Sequence, residues 1–187
     1  MSFVFCTLTL VFVFLPWITK IYNYRAIYNG YIIVCANAAG LFGCIIIGLI
    51  GKAMTYKRKC IVLMIPQLIF MGGIWLSLEW NAPAFSCVCG ACFGFFCYPF
   101  LTTLTDFSTQ TTFPVGEATS SGILLFGGQT AGVILSVFFS FIFDGEDLGL
   151  TRLLNVIILL LLLGAIISLL FAKEELKRED YENSKEK

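Results

Sequence analysis

Residues 106–129 read DFSTQTTFPVGEATSSGILLFGGQ, a short polar bend between two long apolar segments. Asp106 and Glu117 are the only charges between Trp80 and Phe143. Pro114 breaks the apolar pattern and Gly116 permits a bend. Glu117, Thr119 and Ser120 can then satisfy the free amides that open the next helix, while the carboxylate complements its dipole. The stretch reads as a turn between two helices, and the apolar runs beside it are long enough to cross a membrane.

On both sides of the bend the chain is greasy. Of its 187 residues, 58% are hydrophobic and 13% charged, against roughly 45–50% and about 25% in a soluble domain. No charge lies between Cys60 and Leu78, between Trp80 and Thr105, or between Leu153 and Ala172. Runs near this length cross a hydrocarbon core of ~30 Å at ~1.5 Å rise per residue. Apolar length and polar punctuation place six spanning helices at about 3–18, 31–50, 60–78, 83–105, 117–143 and 153–172, then a polar tail at 173–187. The expected fold class is all-α, a six-transmembrane-helix bundle in a lipid bilayer. The N-terminal run lacks a basic flank and a small-residue cleavage site, so it reads as a membrane segment that stays.

Orientation follows from the basic residues of the loops. Lys52, Lys57, Arg58 and Lys59 put the loop after the second segment in the cytoplasm, and Lys173, Lys177 and Arg178 put the tail there. Four helices separate the two, so they agree, and both termini are expected to be cytoplasmic; Lys20 and Arg25, in an outward loop, dissent. Small residues form stripes: Ala36, Gly40, Cys44 and Gly48; Cys87, Gly90, Ala91 and Gly94 with Tyr98; and Gly122, Gln129, Gly132, Ser136 and Ser140. Such stripes let a neighbouring backbone approach closely or line a cavity.

There is no histidine, and seven of the eight cysteines sit in apolar runs, where cysteine acts as a small hydrophobe. Cys87, Cys89, Cys92 and Cys97 do not converge on one helix face, since Cys87 and Cys89 stand about 160° apart. No metal, resident cofactor or nucleic acid is expected, and no nucleophile–base pair suggests an enzyme. Gln129 is the sharpest candidate, an amide about midway along its helix beside Gly127, Gly128 and Gly132. It reads either as a substrate contact near the bilayer midplane or as a hydrogen bond to a neighbouring helix. Asn37, in the outer third of its segment, and Asn155 meet the same test and read better as structural bonds, with Asn37 kept as a second substrate-contact candidate. Tyr98, near Phe95, Phe96 and Phe100, offers a ring face to a cation or packs in the membrane. Asp106 and Glu117 either cap a helix or form a cytoplasmic latch with Lys57, Arg58 and Lys59 that breaks as the protein changes state.

The segment TTFPVGEATSSGILLFGGQTAGVI, residues 111–134, resembles the tenth and eleventh helices of the feline leukaemia virus subgroup C receptor related transporters, a branch of the major facilitator superfamily. Thr112, Phe113, Pro114, Glu117, Thr119, Ser120, Ser121, Gly122 and Gln129 stand where that pattern wants them. The basic loop GLIGKAMTYKRK, residues 48–59, is similar to the loop between helices eight and nine. The resemblance implies a carboxy-terminal half of a twelve-helix carrier, complemented by an amino-terminal six-helix half in the full-length chain or in trans. It implies a small organic solute moved by alternating access, choline or ethanolamine first, with haem or a vitamin as alternatives, and Gln129 as a pocket residue. A non-transporting receptor or scaffold that keeps the half-fold is the rival reading. Three departures stand out: Lys52 where the family has an aspartate, Gln110 where it has a second glutamate, and a first helix that matches poorly.

Overall fold

The computed structural model describes residues 4–8, 11, 15, 18, 22, 26–50, 54–142 and 148–171. Five helices follow one another: α1 (Ala26–Ile50), α2 (Tyr56–Glu79), α3 (Pro83–Thr112), α4 (Glu117–Ile142) and α5 (Leu148–Phe171). Each contains an apolar stretch long enough to cross a membrane, and no strand occurs among the described residues. The chain is a multi-pass membrane protein. Of the expected first helix at 3–18, residues 4–8 are helical and Val4, Phe5, Cys6 and Leu8 are buried in the bundle. The rest of that segment, apart from 11, 15 and 18, lies outside the described residues, as does the tail at 173–187.

Helix α3 is the hub, with α1, α2 and α4 packed on it and α5 packed on α2. Phe100, Leu104 and Phe107 of α3 are completely buried, as are Met64 of α2 and Leu154 and Leu162 of α5. The α1–α3 seam is made of small residues. A Cβ placed on Gly94 would stand 2.1 Å from the Ala36 carbonyl oxygen, and one on Gly43 would stand 2.1 Å from that of Phe95. Pro99 lacks the N–H that would reach back to Phe95, so this carbonyl has no helical donor and a glycine Cα–H can approach it. The stripes of α1 and α3 therefore face each other. Gly48 is the exception, with nothing within 4 Å of its Cβ position.

Element ends differ from the sequence expectation in a consistent way. α3 runs to Thr112 and not to 105, so Asp106 lies within the helix. Thr109, Thr111 and Thr112 fold their hydroxyls onto the carbonyls of Asp106, Phe107 and Ser108, which lets a polar stretch continue as helix. α1 starts at Ala26 and not at 31, and α2 takes Lys57, Arg58 and Lys59 into its first turn. The connection from α2 to α3 is tight. Asn81 adopts φ 52°, a left-handed conformation asparagine tolerates, and the Ala82 N–H donates to the Ser77 carbonyl at 3.0 Å.

Candidate functional site

Three polar candidates sit halfway along their helices. Asn37 is the twelfth of 25 residues in α1, Tyr98 the sixteenth of 30 in α3, and Gln129 the thirteenth of 26 in α4. The early start of α1 corrects the placement of Asn37 in an outer third. The structure brings Asn37 and Tyr98 together: the Tyr98 hydroxyl donates to Asn37 Oδ1, and Asn37 Nδ2 donates to the Ile33 carbonyl at 2.8 Å. Tyr98 reaches this position because Gly40 leaves room for its ring. The pair ties α1 to α3 at mid-span.

Gln129 is not part of that pair. Its side chain is exposed on α4 and makes no hydrogen bond among the described residues. α4 is the least covered of the five helices, with Phe126, Thr130 and Val133 exposed around it. The small stripe expected on this helix straddles two environments, since Gly122 and Gln129 are exposed while Gly132 is buried. Gly128 turns inward against Phe5.

At the end of the bundle that carries the basic loop, a cavity of 480 Å³ is lined by Asp106, Gln110, Glu117 and Tyr56, together with Thr105, Thr109, Ala118 and Ser121. Both carboxylates thus open into one space beside the start of α2. Lys57 donates to the Leu170 carbonyl at 2.7 Å, a cation at the C-terminal end of α5. Arg58 is exposed and Lys59 half-buried. Glu117 stands in the first turn of α4, as helix-end electrostatics favour. The α3–α4 turn is held by hydroxyls, with Ser120 within 2.6 Å of Thr112 and 3.4 Å of Ser108.

Two polar features went unnoticed in the sequence. Gln67, beside Pro66 in the middle of α2, is fully buried and donates to the carbonyls of Leu63 and Phe96 at 3.0 and 3.3 Å. It is the one amide side chain in the run from Cys60 to Leu78, which was the available signal. At the opposite end from the basic loop, Arg152 grips Glu79 with two bonds, Nε to Oε1 at 2.7 Å and Nη2 to Oε2 at 2.8 Å. The Tyr22 hydroxyl adds a bond to Oε1 at 2.8 Å. Burial first, and the Glu79 carboxylate second, push the Tyr22 phenol above its ordinary value. Glu79 and Arg152 should act as one unit in a thermal melt. Glu79→Gln and Arg152→Gln are expected to lower the melting temperature alike, and the double variant no further; additive losses would show that the two side chains act separately.

None of the eight cysteines is in a disulfide, and no cluster of three or more metal-ligating side chains occurs among the described residues. Asn155 is buried, and its Nδ2 has no partner among the described residues.

No family model matches the chain. It is similar to the choline/ethanolamine transporter FLVCR2 of Rattus norvegicus, 31% identical over 100 residues, which covers 53% of this chain and 18% of that protein. The same transporter of Homo sapiens is 28% identical over 143 residues, 75% of this chain and 26% of the relative. An uncharacterized MFS-type transporter of Caenorhabditis elegans, C09D4.1, is 26% identical over 151 residues, 80% of this chain and 25% of the relative. The matched stretches span about a quarter or less of these relatives. All three relatives are membrane transporters, one of them of the major facilitator type.

Proposed function

We propose that this chain forms the carboxy-terminal half of a major facilitator carrier for a small organic cation of the choline or ethanolamine kind. The observation that carries the reading is Gln129, an amide at mid-span, exposed and without a partner among the described residues. A polar side chain at that depth is expensive against lipid and belongs against protein, substrate or a water-filled cavity. Carriers of this type hold their substrate at the midplane, between two bundles that rock about it. The second bundle, an amino-terminal six-helix half, then faces α4 and Gln129. The solute class rests on the relatives, two of which are choline/ethanolamine transporters.

In this reading Asn37 and Tyr98 support the pocket by fixing α1 on α3. Asp106 and Glu117 form the latch with Lys57, Arg58 and Lys59, and what supports it is the cavity that both carboxylates share with Tyr56. The basic end and both termini face the cytoplasm. No carboxylate stands at the middle of a described helix, which makes facilitated movement the simpler mechanism.

Cells making the full-length protein should take up labelled choline above vector-only cells, with excess unlabelled choline suppressing the signal. Uptake equal to the vector control, with the protein present in the membrane, would overturn the solute assignment.

A further inference from the structure

We propose that the notch between α2 and α5, at the end of the bundle away from the basic loop, binds one membrane phospholipid. Its phosphate sits on Arg152, an ester carbonyl on the Trp75 indole N–H, and an acyl chain runs past Gly72. The notch has a volume of 320 Å³ and is lined by Gly72, Trp75, Leu76, Glu79 and Arg152.

Three observations point to this ligand. Arg152 uses two of its five N–H donors on Glu79, and its side chain is 54% exposed. Guanidinium donors fork onto phosphate oxygens, the anion that lies at this level of a bilayer. Trp75 Nε1 lies beside Tyr22 and Glu79 without a hydrogen bond of good geometry to either, which leaves it able to take an ester carbonyl as acceptor. Below it, Gly72 has nothing within 4 Å of its Cβ position, and Leu76 offers exposed apolar surface.

The spacing fits a phospholipid from head to tail. Glu79 ends α2; Trp75 is one turn deeper and Gly72 nearly another, roughly 6 and 10 Å at 1.5 Å per residue. Charge, ester acceptor and hydrocarbon follow in that order in a phospholipid. Trp80, 68% exposed at the same end, stands where aromatic residues mark the membrane interface.

The test is native mass spectrometry of the full chain purified in mild detergent and titrated with phosphatidylcholine. The wild type should retain one phospholipid. Gly72→Phe, whose side chain enters open space, should weaken retention by about tenfold or more while the melting temperature holds. The double variant Glu79→Gln/Arg152→Gln removes the phosphate donor without leaving a lone charge and should weaken it likewise, a second reading if Gly72→Phe fails to fold. Retention equal to wild type in a folded variant of either kind, or capture of a sterol in place of the phospholipid, would overturn the site.

Discussion

Gly94→Ala should unfold the bundle at a markedly lower temperature, although alanine is the better helix former. In an exposed helix the exchange would gain about 1 kcal/mol. Here the new methyl would stand 2.1 Å from the Ala36 carbonyl oxygen, 2.6 Å from its carbon and 2.7 Å from its Cα. These are backbone atoms of a packed helix, which cannot rotate away as a side chain can. Overpacking of this kind costs about 1–3 kcal/mol and more where backbones must separate. Separation would also pull Tyr98 off Asn37, because the Gly94 contact and that hydrogen bond lie one turn apart on the same seam. Gly48→Ala and Gly122→Ala are the controls, since neither Cβ position has a neighbour within 4 Å. They should melt at or above wild type. A Gly94→Ala protein that melts with its controls would show that the seam is looser than described.

The seam was readable from the sequence, because small residues recurring every four positions on 31–50 and on one face of 83–105 predict close helix contact. Its partner was not readable, since a stripe does not say which helix it meets. Asp106 was expected in a loop because Ser and Thr crowd around it; their hydroxyls bond within the helix and hide its continuation. Asn37 moved to mid-span for a related reason, as the polar residues of 26–30 are helical without being apolar. The Glu79–Arg152 pair joins residues 73 apart, and only the packing of α5 on α2 brings them together. The exposure of Gln129 could not be foreseen either, because burial on α4 depends on what packs beside it.

Gln129→Ala should separate transport from folding more sharply than any other substitution. The side chain has no partner among the described residues and is exposed, so its loss leaves the packing of α4 on α3 untouched and the melting temperature within error of wild type. A pocket amide that hydrogen-bonds a charged solute contributes on the order of 1.5–3 kcal/mol, which is about 10- to 150-fold in uptake efficiency. Gln129→Asn keeps the amide on a shorter stem and should retain part of the activity. The deciding measurement is initial-rate uptake of labelled choline at equal surface expression for wild type, Gln129→Asn and Gln129→Ala. Uptake should fall in that order, by at least about tenfold from first to last. Equal rates for the three proteins would contradict this and would leave Gln129 outside the transport path.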